Sequence, residues 1–148
     1  MVKDDAFLEH AEVHGNCYGT SLAEVERAKK DPEAGGILFD IDYQGAQQIR
    51  RKAPDVVGVF ILPPSMAELE RRLRGRASES DDAVKLRFAA SKKEIVAALQ
   101  EKNLFDYFVV NDDLDRASDE LRAIVIAERA RIKRREKLAQ ALLEDGKI

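Results

Sequence analysis

The chain has 148 residues, of which 45% are hydrophobic and 36% charged, enough apolar side chains for the core of one compact domain. Its net charge of -3 gives no general reason to bind nucleic acid or an acidic membrane, and its single cysteine, Cys17, excludes an intramolecular disulfide and a multi-cysteine zinc site. It contains no apolar run of about 18 residues and begins without the apolar segment of a signal peptide, so we expect a cytoplasmic protein that does not span a membrane.

The first predicted elements are a short strand and a helix. Phe7–Val13 mixes apolar and polar side chains, which suits a short strand, and Gly15 and Gly19 predict turns on either side of the tyrosine between them. A capping box that begins at Ser21 predicts a helix running to about Lys30.

Strands and helices alternate through the rest of the chain. Residues 37–41 are apolar up to one acid near their end, which is typical of a strand buried on both faces of a parallel sheet. The elements predicted after it are a helix ending near Pro54, a second buried strand over residues 56–62, a helix from the Ser65 capping box to Gly75, a helix from near Ser80 that carries Leu99, a third buried strand over residues 107–110, and one long helix to Leu143. This order predicts a three-layer α/β domain with a parallel sheet, in which ligands bind beyond the carboxyl ends of the strands.

Polar residues follow two of these predicted strands. Asp40 and Asp42 lie one residue apart at the end of the first, where alternation would send both carboxylates to the same side. Such a pair can hold Mg²⁺ directly or through water. The alternative is a helix cap with a solvated neighbour. Asn111 follows the third predicted strand.

Two further groups of side chains suit a nucleotide. Arginines cluster at positions 71–76, with Arg87 on the next predicted helix, and arginine forks match phosphate oxygens in pairs. The alternative is a solvated helix face on which these arginines pair with Glu68, Glu70 and Glu79. Glu9, Tyr18 and Thr20 offer a carboxylate, a phenol and a hydroxyl that could read the donor edge of a purine and hold a phosphate, although any polar turn offers as much.

Five segments occur in a fixed order along the chain. They are F-L-E-H-A-E-V-H-G-N-C-Y-G-T from Phe7, D-I-D-Y-Q-G-A from Asp40, F-I-L-P-P-S from Phe60, E-R-R-L-R-G-R from Glu70 and V-V-N-D-D-L from Val109. In sequence and spacing they resemble guanylate kinase, and the resemblance covers roughly residues 7–129. The chain has His10, Cys17 and Ala77 where the family has tryptophan, tyrosine and glycine.

The resemblance implies a fold and a division of the chain. The fold is α/β, a P-loop nucleoside-monophosphate-kinase-like three-layer parallel sheet, with residues 1–148 as a single domain. The implied regions are residues 1–34 as part of the GMP-binding region, 35–70 as core, 71–90 as lid, 91–130 as core and 131–148 as the charged end of the C-terminal helix.

The resemblance also implies roles at the site. Glu9 would accept hydrogen bonds from guanine, Thr20 would lie in the same base pocket, and Tyr18 would bind the GMP phosphate. Asp42, with Asp40 behind it, would lie between the base site and Mg²⁺–ATP. The implied phosphate and adenine residues are the lid arginines Arg72, Arg76 and Arg87, together with Asn111 near the adenine. GMP and ATP are the implied substrates, ATP and Mg²⁺ the implied cofactors.

The phosphate loop of the family does not occur in these 148 residues. The pattern G-x-x-x-x-G-K-[ST] is absent, and the one Gly-Lys pair, at Gly146, is followed by Ile148. In the implied fold, the strand before that loop lies between the strands predicted over residues 37–41 and 56–62. We therefore expect a fold without the P-loop strand, self-association through exposed sheet edges, and no phosphorylation of GMP by this chain alone. The alternative is a non-catalytic guanylate-kinase-like module that binds a phosphorylated peptide or a nucleotide.

Overall fold

The protein is described by a computed structural model that covers residues 6–13, 16–31, 33–75 and 80–144. The chain forms two compact units, one of Met1–Gly58 with Val96–Asp106 and the other of Val59–Ile95 with Tyr107–Ile148. Within the residues covered, no helix is both long and apolar enough to cross a membrane.

A β-hairpin opens the first unit. Strand β1 (Phe7–Val13) pairs antiparallel with β2 (Asn16–Ser21). The turn predicted at Gly19 is wrong, because this residue lies within β2, opposite His10. A Cβ atom at Gly19 would lie 2.8 Å from the Glu9 carbonyl oxygen, so the glycine permits the close approach of the two strands. The turn predicted at Gly15 lies outside the described residues.

Two capped helices follow the hairpin. Helix α1 (Leu22–Lys30) begins where the capping box predicts, with the Ser21 hydroxyl accepting a hydrogen bond from the Glu24 amide at 3.2 Å. Helix α2 (Tyr43–Lys52) has Asp42 as its N-cap. The apolar faces of the hairpin and both helices meet in one core, whose buried members are Leu8, Val25 and Ile49.

The segment between α1 and α2 departs from the prediction. Residues 37–41 were expected to form a buried strand, but they are not a strand, and Leu38 is 92% exposed. An apolar run becomes a strand only when a neighbour completes its backbone hydrogen bonds, and no described strand pairs with this segment. Part of it, Phe39 and Ile41, packs against the core of the first unit.

The guanidinium of Arg50, on α2, links several backbone segments of the first unit by hydrogen bonds. It donates to the carbonyl oxygens of Pro54, Val56 and Leu104 and to Oδ2 of Asp106, at 2.6–3.2 Å. Asp106 is also joined to Gly58 twice: its carboxylate accepts from the Gly58 amide, and its own amide donates to the Gly58 carbonyl, both at 2.7 Å. A Cβ atom at Gly58 would lie 2.6 Å from the Leu104 carbonyl oxygen, so this junction requires glycine.

A parallel strand pair forms the centre of the second unit. Strand β3 (Val59–Leu62) pairs with β4 (Tyr107–Val110), and the rings of Phe60 and Phe108 meet edge to face at 6.0 Å. The α/β class with parallel pairing is therefore confirmed, although β3 is shorter than the strand predicted over residues 56–62. The prediction that both strands are buried is wrong: Val109 is buried, but Ile61 in β3 and Phe108 in β4 are each 45% exposed. The described residues add no third strand to cover this pair.

Four helices accompany the parallel pair along the chain. They are α3 (Met66–Arg74), α4 (Asp81–Gln100), α5 (Leu114–Ala130) and α6 (Ile132–Glu144). The Ser65 cap of α3 is confirmed. The single C-terminal helix predicted to Leu143 is instead two helices, because the backbone at Arg131 leaves the helical region at ψ 139°. Buried Glu128 accepts a hydrogen bond from the Tyr107 hydroxyl at 2.7 Å and pairs with Arg131 and Arg134, which lie beyond the end of α5.

Candidate functional site

A buried carboxylate lies on the hairpin of the first unit. Glu9 is only 6% exposed, and its Oε1 accepts a hydrogen bond from the hydroxyl of Thr20, the residue opposite it in β2, at 2.8 Å. Its Oε2 lies 3.3 Å from the position of a Cβ atom at Gly45, in the first turn of α2. The partial positive charge of a helix N-terminus favours an anion there. The carboxylate is therefore held in one orientation, with lone pairs left for a ligand.

An open cavity of about 390 Å³ adjoins this carboxylate. Glu9, Tyr18 and Thr20 line it from the hairpin, and residues 37–41 line it from the other side. Tyr18 is 60% exposed. An apolar wall with a few fixed polar groups and a volume of several hundred Å³ is typical of small-molecule sites. The structure thus brings the three predicted base and phosphate residues of the hairpin together.

Asp40 and Asp42 have different surroundings. Asp40 lines the cavity, whereas Asp42 caps α2 by accepting a hydrogen bond from the Gly45 amide on Oδ1 at 2.8 Å. The helix-cap interpretation of Asp42 is thus confirmed. The alternation argument for the pair is wrong, because these residues do not lie on a strand. No group of three or more His, Cys, Asp or Glu side chains that could hold a metal occurs in the described parts of the chain.

Two exposed carboxylates nevertheless fit the way proteins hold Mg²⁺. This ion keeps several of its waters and is commonly bound through one or two carboxylates together with substrate phosphates. Asp42 uses one oxygen for the helix cap, and Asp40 is open to the cavity. The pair therefore fits a water-mediated ion, and that role stays a prediction.

Two of the predicted lid arginines, Arg72 and Arg87, lie in the second unit. Glu68 accepts from Arg71 at 2.6 and 2.7 Å and from Nε of Arg72 at 2.7 Å. The hydrogen bonds from Arg71 and Arg72 lower the pKa of Glu68 to about 2. Arg74 pairs with Glu70 at 2.8 Å. The alternative interpretation, arginines paired with glutamates along the helix, is therefore confirmed for Glu68 and Glu70.

Arg72 also reaches beyond its own helix. Its Nη1 donates to the Asn111 carbonyl oxygen at 2.8 Å, and the Asn111 amide donates to the Leu62 carbonyl oxygen at 2.8 Å. Arg72 and Asn111 therefore meet at the carboxyl ends of β3 and β4, where ligands bind in parallel sheets. Arg87 is half-buried on α4, and Arg76 and Glu79 lie outside the described residues.

Sequence reasoning missed the contacts that α2 makes with β1. The Gln48 side chain accepts from the His10 amide at 3.1 Å and donates to the His10 carbonyl at 2.8 Å. Lys52 donates to the Phe7 carbonyl oxygen at 2.7 Å. The available signal was the spacing of Gly45, Gln48 and Lys52, which places them along one face of a helix.

A family model described as "Guanylate kinase" matches residues 1–128. The chain belongs to the guanylate kinase family. It is 54% identical over 132 residues to the guanylate kinase of Rhizobium meliloti (strain 1021), an alignment that covers 88% of this chain and 58% of that protein. It is 46% identical over 143 residues to the guanylate kinase of Escherichia coli (strain K12), covering 97% of this chain and 66% of the relative.

The fold comparison agrees with the family. The crystal structure of guanylate kinase from Anaplasma phagocytophilum matches with a TM-score of 0.74 and 30% identity, over 99% of this chain and 69% of that one. The predicted resemblance to guanylate kinase, a nucleoside monophosphate kinase and hence a transferase, is thereby confirmed, as is the kinase-like α/β fold. The chain spans less than two thirds of the length of the two curated relatives just named.

Proposed function

We propose that this chain supplies the guanine pocket and the lid arginines of a guanylate kinase, which transfers a phosphoryl group from ATP to GMP and yields ADP and GDP. The observation that carries the proposal is the buried Glu9 carboxylate, fixed by Thr20 at the edge of a cavity large enough for a small molecule. The family supports the reaction class.

The chemistry of Glu9 favours guanine over adenine. Guanine presents two neighbouring N–H donors on its Watson–Crick edge, and an ionised carboxylate is an acceptor on both oxygens. Adenine presents an acceptor beside its donor, which would leave one carboxylate oxygen facing a lone pair. A site built around a buried hydrogen-bonding group rejects such a ligand strongly, because the buried group is left unpaired.

Phosphoryl transfer needs charge neutralisation and positioning rather than a protein nucleophile. Tyr18 would bind the GMP phosphate from the hairpin. Mg²⁺, held through water by Asp40 and Asp42, would neutralise charge on the phosphates.

The lid residues would act on the transferring phosphates. Arg72 commits two of its five N–H groups, one to Glu68 and one to Asn111, so the rest can meet phosphate oxygens. Arg76 and Arg87 would join it in the region 71–90, and Asn111 would lie near the adenine. A cytoplasmic location, expected from the composition, is part of this proposal.

Binding of nucleotides to the 148-residue chain tests the base pocket. GMP and AMP are titrated by calorimetry against the unsubstituted chain, Glu9→Gln and a control, Glu26→Gln, whose side chain is exposed on α1. Loss of a charged acceptor should weaken GMP binding about 10- to 100-fold, with little change for AMP. The control should bind GMP as the unsubstituted chain does.

Two results would contradict the proposal: equal affinity of the unsubstituted chain for GMP and AMP, or unchanged GMP affinity in Glu9→Gln. A phosphorylated peptide that binds where GMP does not would identify a binding module instead. We expect no phosphate transfer by these residues alone, because they contain no G-x-x-x-x-G-K-[ST] pattern.

A further inference from the structure

Helix α2 contacts the backbone of β1 on both sides of Glu9. The Gln48 side-chain amide bonds both backbone polar groups of His10, the residue that follows Glu9. It accepts from the His10 N–H and donates to the His10 carbonyl. One turn further along α2, Lys52 donates to the Phe7 carbonyl oxygen, two residues before Glu9. Three backbone groups within four residues are therefore bonded to one helix.

These contacts lie on the outer edge of the hairpin. The inner edge of β1 pairs with β2, and the register of that pairing is irregular between Phe7 and Glu9. At such an irregularity the ladder is locally disrupted, so the strand is less well fixed by its partner. Among the described residues no strand pairs with this outer edge of β1, and at His10 the Gln48 side-chain amide bonds the two backbone groups that such a strand would bond.

The same helix also contacts the Glu9 carboxylate. Gly45, one turn before Gln48, lies so close that a Cβ atom there would be 3.3 Å from Glu9 Oε2. Helix α2 therefore contacts the Glu9 side chain through Gly45 and the backbone of the following residue through Gln48. A shift of β1 along α2 would move the carboxylate relative to the cavity that it lines.

We infer that Gln48 is a positioning residue for Glu9: by bonding both polar groups of His10, it fixes the carboxylate where guanine is read. This inference rests on the proposed function. Hydrogen bonds weaken steeply with distance and angle, so a displacement of about 0.5 Å is enough to spoil recognition. The effect should fall on the discrimination between guanine and adenine, because Tyr18, which is proposed to bind the phosphate, lies on β2.

The test compares two glutamines of one helix. Gln48→Met removes both bonds to His10 at similar size, and Gln47→Met is the matched control, because Gln47 bonds Glu101 instead of β1. Gln48→Glu keeps an acceptor for the His10 amide and loses the donor to its carbonyl. GMP and AMP affinities are measured by calorimetry, and exchange of the His10 amide hydrogen by NMR.

We expect Gln48→Met to speed exchange of the His10 amide hydrogen. It should weaken GMP binding about five- to tenfold and leave AMP binding unchanged, because each lost neutral hydrogen bond corresponds to a few-fold to about tenfold change in affinity. Gln48→Glu should restore protection at His10 and part of the GMP affinity. Gln47→Met should change neither quantity.

The outcomes distinguish a failure of this inference from a failure of the proposed function on which it rests. If the unsubstituted chain does not prefer GMP to AMP, the proposed function fails and the inference fails with it. If that preference exists and survives Gln48→Met, the inference alone is wrong. Equal losses in Gln48→Met and Gln47→Met would also overturn it, since they would indicate a general effect on α2.

Discussion

Replacing Arg50 by methionine should destabilise the chain more than any other single change on the surface of α2. The Arg50 side chain is only 19% exposed, and its guanidinium is bonded to three carbonyl oxygens and to the Asp106 carboxylate. Methionine keeps much of the apolar stem and removes every one of these hydrogen bonds. The variant therefore isolates the polar contribution of the guanidinium.

The size of the effect follows from the acceptors left behind. A buried polar group that loses its partner costs about 1–3 kcal/mol, and breaking a buried ion pair costs about 3–5 kcal/mol. The Asp106 side chain is 40% exposed and keeps its bond to the Gly58 amide, so the full cost of a buried pair does not apply. We expect a loss of about 2–4 kcal/mol in the free energy of unfolding.

Urea denaturation followed by circular dichroism measures this loss. With a slope of about 1–3 kcal/mol per molar urea, the midpoint should fall by roughly 1–2 M. Arg51→Met is the control, because Arg51 is the next residue of α2 and is exposed. Equal midpoints for the two variants would refute the argument that the Arg50 contacts stabilise the first unit.

Two further variants test the hairpin and the arginine cluster. The pKa of Glu68 is about 2 instead of its ordinary 4.5, so this carboxylate contributes stability that is present above about pH 4.5 and lost as pH falls through about 2. Glu68→Gln should therefore reduce the change of melting temperature with pH over this range. An unchanged dependence of the melting temperature on acid pH would contradict this assignment. Gly19→Ala would place a Cβ atom 2.8 Å from the Glu9 carbonyl oxygen, so we expect the free energy of unfolding, measured by urea denaturation, to fall by about 1–3 kcal/mol. A variant of native stability would show that the two strands move apart at this point without cost.

The helix starts were predictable because capping is local chemistry. Ser21 and Ser65 each lie three residues before a glutamate, and in both cases the hydroxyl accepts a hydrogen bond from the amide of that glutamate. The weak points of the helix prediction lie where tertiary contacts act. The break at Arg131 accompanies pairing of Arg131 and Arg134 with buried Glu128, which no periodicity in the sequence encodes.

Strands were less predictable, because pairing depends on distant parts of the chain. Residues 37–41 have the composition of a buried strand, yet composition does not supply the neighbour that a strand needs. Gly19 shows the converse, since a residue typical of turns lies within a strand where two backbones approach closely.

The candidate site could be predicted in part. Motifs pointed to Glu9 and Thr20, and the structure joins these side chains by a hydrogen bond. The contact between Gln48 and His10 spans 38 positions of sequence and was not foreseen. A recognition motif identifies the groups that touch a ligand more readily than the groups that hold them in place.

The double connection between Gly58 and Asp106 has a consequence for the strands that follow each of them. Parallel strands have no hairpin turn to set their alignment, and a slip by one residue would move every side chain to the opposite face. Gly58 immediately precedes β3 and Asp106 immediately precedes β4, where Val59 is aligned with Tyr107. The bonds between Gly58 and Asp106 thus fix which residues of the two strands lie opposite each other. A substitution at either position would shift this register, although neither residue belongs to a strand.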